Sequence, residues 1–437
     1  MGKIASKNKG ISRRGFMKRS ALAAGAVAFP YIVPASALGR EGRVAPSDRI
    51  TIGFIGVGKM AKGHVGSFLG DDDVQIVAIA DVERGRRESQ AQRVNDHYAQ
   101  REDRAGYEGC DNYNDYRELC ARADIDAVVI ATPNHWHALN AVEAAKNGKD
   151  IYLEKPLART IGEGQAIQEA VHRYGRILQV GSQQRSDSTF RFACELVRNG
   201  RIGKVHTVHV NVGGPPQEDD LAAEPVPEGL DWDFWLGPVP WRPYSATLAP
   251  PESFDGWPSW RYYRDYAGGG MTDFGAHHYD IAQWGLGMDH TGPVEVKYDA
   301  EAATISYVYA NGIVMHHGGG GPGAAVDWIG DNGWVRVNRG EFLETEPASL
   351  KYEFIGPSET HLYYSDNHKR NWLDGIRTRK QPICTVDIGH HTANVCHMGN
   401  IAYWLKRGFK WDPETERFDD AEANRLIHRP MRGPWQV

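Results

Sequence analysis

Residues 50–61 constrain the fold more than any other stretch. Ile50-Thr-Ile-Gly-Phe-Ile-Gly56 is a short apolar run that feeds directly into Gly56-Val-Gly58-Lys-Met-Ala61. That is the G-x-G-x-x-A spacing of a phosphate loop opening a helix. Gly56 permits the tight turn, Gly58 lets the backbone approach a pyrophosphate, and Ala61 keeps the helix close to its strand. The helix N-terminus then faces the phosphates. A second apolar run, Val74 to Ala80, ends in Asp81. An acid there bonds a ribose 2′-hydroxyl and disfavours a 2′-phosphate. Strand, loop, helix, strand and acid in this order predict NAD or NADP, with NAD favoured, held by Gly56, Val57, Gly58, Lys59, Met60 and Asp81. Arg84, Arg86 and Arg87 read as the solvated start of a helix, although they follow Asp81 closely enough to reach a 2′-phosphate.

The 437 residues allow two domains. The first segment reads as a leader. Ser12-Arg-Arg-Gly-Phe-Met-Lys18 has the twin-arginine form, followed by an apolar run from Ala21 to Val33 and the small-x-small triplet Ala35-Ser36-Ala37. The expected organisation is a signal peptide over 1–37, a dinucleotide-binding domain over 48–184 and a substrate and oligomerisation domain over 185–437. The leader carries 7 basic residues and no acidic ones; of 50 basic residues 43 then remain against 56 acidic, a net charge of about −13. That balance argues against nucleic acid as a partner. The apolar run is short for a bilayer span, so the mature protein is expected to be soluble, and the twin-arginine form predicts a periplasmic or otherwise exported location. Five scattered cysteines without a CxxC pair give neither a disulfide framework nor a zinc site.

A third apolar run, Ile125 to Ala131, ends in Thr132-Pro-Asn-His-Trp-His137, and a fourth, Asp150 to Leu153, ends in Glu154-Lys155-Pro156. Both endings fall at the carboxyl edge of a doubly wound sheet, where ligands bind. A strand-end lysine is often only solvated, but one beside a substrate hydroxyl can take a proton. Further on, Gly268-Gly-Gly-Met-Thr-Asp-Phe-Gly-Ala-His-His-Tyr-Asp280 changes from a glycine turn to helical spacing. Asp273, His277 and Asp280 share one face of that helix, with the imidazole placed to move a proton and its second nitrogen held by a carboxylate. A core helix with a structural histidine has the same spacing.

Four motifs in order carry a resemblance: the loop at 56–61, Thr-Pro-Asn-x-x-His at 132–137, Glu-Lys-Pro at 154–156 and Asp-x-x-x-His at 273–277. From about Ile50 to the C-terminus the chain resembles the glucose–fructose oxidoreductase and inositol dehydrogenase family, Gfo/Idh/MocA. The resemblance implies an α/β fold: a Rossmann domain followed by an α+β domain with a large, mostly antiparallel open sheet. It implies catalysis by Lys155 and His277 with Asp273 beside them, and a nicotinamide side lined by Thr132, Asn134, His137, Glu154 and Lys155. Trp136, Arg185, Trp260 and His278 are expected at the substrate.

In the second half, Val205 to Val212 alternates as a strand, and Asn311-Gly312 marks a hairpin between 303–309 and 313–317. Residues 213–262 read as a long loop rich in Pro, Trp and Gly, and 93–116 as an extended surface insertion. Residues 371–406 read as helices and the tail from Trp411 as irregular. The histidine pairs 277–278, 316–317 and 390–391 are not expected to chelate metal, because neighbours on a strand face opposite ways. An open sheet face is expected to form a homo-oligomer. The expected activity is exported, NAD(P)-dependent oxidation or reduction of a sugar, sugar derivative or cyclitol, with a retained cofactor. The alternatives are an NAD-dependent glycoside hydrolase working through transient oxidation, and a non-catalytic sugar-binding protein.

Overall fold

The structure is a computed structural model describing residues 45–104 and 106–437. The leader reading therefore lies outside the described residues. The chain divides into two units, Met1–Arg49 and Ile50–Val437. The first contributes only a short 3-10 turn, Pro46–Asp48, to the described residues. All that follows concerns the second.

Its first sheet is parallel, with strands β1 (Ile50–Ile55), β2 (Val74–Ala80), β3 (Asp111–Tyr113), β4 (Ala127–Ile130), β5 (Asp150–Leu153) and β6 (Leu178–Val180) in the order β3-β2-β1-β4-β5-β6. β4 and β5 are buried along their whole length. Helices cover both faces, which is why these strands are apolar runs without alternation. The order reverses between β1 and β4, opening the crevice that a doubly wound sheet offers to a ligand. The helix Lys59–Leu69 leaves β1 through the glycine loop and turns Ala61, Val65 and Phe68 inward.

The second sheet has strands β7 (Val205–Val210), β8 (Glu295–Asp299), β9 (Thr304–Val308), β10 (Val314–His317), β11 (Val326–Gly330), β12 (Gly333–Asn338), β13 (Phe342–Glu346), β14 (Phe409–Asp412) and β15 (Arg417–Phe418). Their order is β13-β12-β11-β7-β10-β9-β8-β14-β15, antiparallel except at β7–β10. The helices Ser188–Arg198, Gly275–Leu286 and Val386–Leu405 share one hydrophobic core with this sheet, around Trp328, Tyr279, Tyr307 and Met315. The fold class is the expected one: a Rossmann domain, then an α/β domain with a mostly antiparallel sheet.

Three local expectations are corrected. Residues 93–116 are not an insertion: the helix Arg84–Ala99 continues through Arg93, anchored by buried Val94 and Tyr98, and β3 follows. Its polar exposed face hides the period. The tail from Trp411 is ordered, because Trp411 and Phe418 pair across β14 and β15 with rings 4.6 Å apart. Asp273 and His277 do not share a single helix; Gly270–Asp273 ends at Phe274 and a new helix starts at Gly275. Among the described residues, no helix is long and apolar enough to cross a membrane.

Candidate active site

A cleft of about 960 Å³ takes its lining from both sheets' connections. At one end stands the glycine loop. Gly56 has φ +80°, and a Cβ there would lie 2.8 Å from the Thr132 side chain and 2.9 Å from its backbone nitrogen. Only glycine fits. The helix Lys59–Leu69 begins without a side-chain cap, so its first N–H groups are left for a ligand. Asp81 lies at the end of β2, its carboxylate accepting hydrogen bonds from the backbone N–H of Val57 (2.8 Å) and of Glu83 (2.9 Å). Burial pushes its pKa up, against the pull of Arg86 and these two bonds. The nearby arginines are already engaged: Arg84 with Glu228, Arg86 with the Pro250 carbonyl, Arg87 with the Asp81 carbonyl and Asn114. An uncapped helix, a glycine cradle and an acid at the ribose position fit NAD.

Segment 213–262 closes over this end. Lys59 Nζ meets the Asp255 carboxylate at 2.5 Å and its carbonyl at 2.6 Å, Ser89 donates to Glu252 (2.7 Å), and the Asp231 N–H donates to the Val82 carbonyl (3.0 Å). Trp232 and Trp235 stack face to face and are buried, while Trp257 and Trp260 line the cleft.

At the other end Lys155, Asp273 and His277 line the same space. Lys155 Nζ donates to Asp273 Oδ1 (2.7 Å) and to the Asp273 carbonyl (3.0 Å), and Arg261 Nε donates to Asp273 Oδ2 (3.1 Å). Burial works against the Asp273 carboxylate, but Lys155 and Arg261 hold its pKa below the ordinary value. The turn before it needs glycine: Gly269 has φ +67°, and a Cβ would lie 2.5 Å from the Pro216 nitrogen. His277 is buried, and burial, then the charges of Lys155 and Arg339, push its pKa far below the ordinary value. It is a neutral imidazole.

Of the other expected residues, Gly56, Gly58, Lys59, Met60, Thr132, Asn134, Trp136, Glu154 and Trp260 line the cleft. Glu154 is buried, bonded to His64 Nε2 (2.8 Å) and Gln183 (2.9 Å), and these partners with Lys155 keep it ionised against burial. Five expectations are corrected. His137 is fully buried between the carbonyls of Pro156 (2.8 Å) and Thr132 (3.0 Å), bracing the two strand ends from behind. Arg185 forks onto Asp280 (2.7 and 2.8 Å) and Asp289 (3.1 and 2.7 Å) at 1% exposure, so four of its five donors are spent on these carboxylates and the guanidinium is closed off from the cleft. Asp280, held there and by Thr392, does not reach His277, whose Nδ1 is buried without a partner. His278 turns away to the Asn211 carbonyl (2.7 Å). Val57 is likewise buried; its N–H is spent on Asp81.

The sequence reading missed Arg261, Arg339, Gln183 and Gln184, which also line the cleft. Gln183 and Gln184 directly precede Arg185 at the crossing between sheets, a visible signal. Arg339 sits in the turn after β12 and carries none.

Residues 50–182 match the Gfo/Idh/MocA model described as an oxidoreductase family with an NAD-binding Rossmann fold, and residues 214–437 its C-terminal alpha/beta domain. The uncharacterized oxidoreductase YrbE of Bacillus subtilis is 24% identical over 364 residues, 78% of this chain and 90% of that protein. Inositol 2-dehydrogenase of Salmonella typhimurium is 31% identical over 191 residues, 42% and 53%. A glycosyl hydrolase family 109 protein of Shewanella pealeana is 31% identical over 206, 45% and 44%. The match thus spans about half the length of these last two relatives. The WlbA dehydrogenase of Bordetella pertussis, solved with NADH and UDP-GlcNAcA, shares the fold at TM-score 0.57 and 18% identity, over 83% of this chain and 98% of that one. With both of its halves matched in order, this chain belongs to the Gfo/Idh/MocA oxidoreductase family.

Proposed function

We propose that the protein oxidises or reduces a sugar, sugar derivative or cyclitol, with Lys155 and His277 moving the hydroxyl proton and Asp273 orienting Lys155. The observation that carries this reading is the convergence of the three side chains in one cleft with the glycine loop. When bound, NAD supplies the hydride acceptor or donor. Lys155, fixed by two bonds to Asp273, presents its ammonium to the substrate oxygen. His277, neutral and buried, keeps an unprotonated ring nitrogen for the substrate hydroxyl. Thr132, Asn134 and Glu154 form the wall beside Lys155.

The bonds from segment 213–262 across the glycine-loop end support a cofactor that stays bound through turnover. A retained cofactor suits a protein exported by the twin-arginine route, which carries folded cargo, and Arg13 and Arg14 support that route and a periplasmic destination. It also suits the second reading, glycoside hydrolysis by transient oxidation, elimination, hydration and reduction, which the family 109 relative favours. The open face of the second sheet is the proposed homo-oligomer surface. The test is to identify the nucleotide released on denaturation, then screen sugars and glycosides for cofactor reduction and aglycone release. Net reduction supports the dehydrogenase, and aglycone release without it the hydrolase. A protein that carries no nucleotide and acts on neither overturns both.

A further inference from the structure

At the Lys155 end of the cleft the charged groups are equal in number but are not matched in ion pairs. Three carboxylates line it, and each is spent. Asp273 is held by Lys155 and Arg261. Asp187 caps the helix Ser188–Arg198 through the N–H groups of Thr189 (2.8 Å) and Phe190 (3.4 Å). Glu154 is bound by His64 and Gln183. Against them stand Lys155, Arg261 and Arg339. Lys155 and Arg261 share the one carboxylate of Asp273, and Arg339 has no ion pair among the described residues.

Arg339 is nevertheless fixed. With the Gln184 amide oriented to satisfy its neighbours, the amide oxygen accepts from Arg339 Nε (3.0 Å) and the amide nitrogen donates to the His277 carbonyl (3.2 Å). The guanidinium lies over the Phe274 ring, 5.3 Å from its centroid. Nε is thereby anchored, the residue lines the cleft, and among the described residues the two terminal nitrogens make no hydrogen bond or ion pair. A planar fork of this kind matches a carboxylate or phosphate by two parallel hydrogen bonds.

We propose that the substrate carries an anionic group, a carboxylate or a phosphate, and that Arg339 recognises it. This rests on the sugar-oxidoreductase reading and narrows its substrate to acidic sugars. Lys155 and His277 then face the reacting hydroxyl while Arg339, held by Gln184, fixes the other end. Trp257 and Trp260 are left to pack on the ring.

The experiment is calorimetric titration of the NAD-loaded protein with matched sets: a hexose, its uronate and its 6-phosphate, in the gluco, galacto and manno series. At least one acidic sugar is expected to bind about tenfold or more tighter than its neutral counterpart, the size of a hydrogen bond to a charged group. Arg339→Met should remove that preference, with bound NAD and melting temperature unchanged, because the residue is exposed in a turn. Preference for the uronate or for the phosphate ester identifies the source of the charge. Equal binding of neutral and acidic sugars, an Arg339→Met protein that keeps the preference, or one that loses NAD each overturns the proposal. Neutral sugars turned over independently of Arg339 leave the oxidoreductase reading standing. No binding or turnover of any sugar overturns both.

Discussion

Lys155 Nζ lies 2.7 Å from Asp273 Oδ1 and 3.0 Å from the Asp273 carbonyl oxygen, a contact between residues 118 positions apart. The lysine lies two residues beyond β5 of the first sheet, and the aspartate ends the short helix Gly270–Asp273 in the second half. Neither the Rossmann topology nor the second sheet alone produces this pair.

Lys155→Met should lower turnover by roughly a hundred- to ten-thousand-fold, the range of one proton-transfer group. NAD content should stay near that of the parent, since the glycine loop is untouched. Asp273→Asn should lower turnover less, because the ammonium keeps its bond to the backbone carbonyl of residue 273 and loses only its counter-charge. Steady-state rates and released nucleotide, measured on the same preparations, check both; near-parental turnover by folded Lys155→Met would exclude the residue from the machinery.

His277→Ala should lose a comparable factor while remaining folded. In the parent, burial and the neighbouring charges of Lys155 and Arg339 keep the ring neutral well below its ordinary range. No acid limb belonging to His277 is therefore expected near pH 6.5. A pH–rate profile of the parent that falls tenfold per unit directly below pH 6.5, and is flat in a His277→Gln protein, would contradict this assignment.

Arg185→Met should cost stability rather than chemistry. Removing the guanidinium leaves Asp280, fully buried, and Asp289 without their cation, and breaking such a buried pair costs about 3–5 kcal/mol. Denaturant melts should show that loss, and KM for any substrate of the folded fraction should be unchanged. A raised KM with full stability would restore Arg185 to the substrate.

The protein should lose stability steadily as pH falls from about 6.5 to 4. Burial lowers the pKa of His278 and of His368 to about 4 and of His135 and of His397 to about 3. Below pH 6.5 the unfolded chain takes up protons at these four sites and the folded chain does not. Stability therefore falls with falling pH, by at most ~1.4 kcal/mol per unit for each group. Equilibrium unfolding at pH 7.5, 6 and 5 measures the slope, and His278→Asn should reduce it. A flat profile over that range would show that these histidines are not held neutral.

Residues 50–81 determined the nucleotide end by themselves. The turn at Gly56, the helix start after Gly58 and the acid after β2 are local features, and a parallel strand buried on both faces is legible as an unbroken apolar run. Lys155, Asp273 and His277 were also legible, as short motifs at a strand end and after a glycine turn. Tertiary structure decided what those motifs touch. Asp280 is three residues from His277 on the same helix, yet Arg185 and Thr392 hold its carboxylate away from the site. His137, Arg185 and His278 are polar residues of the kind that bind ligands, but each meets a backbone carbonyl or a carboxylate that the fold brings to it, and burial makes that partner obligatory. Arg339 is the converse case. Nothing in the turn around it marks a site, and it is linked to the His277 carbonyl through Gln184 only because the second sheet brings the β12 turn there. Periodicity and turn chemistry are local and survive in a sequence; the partner of a buried charge is set by which strands and helices meet in space.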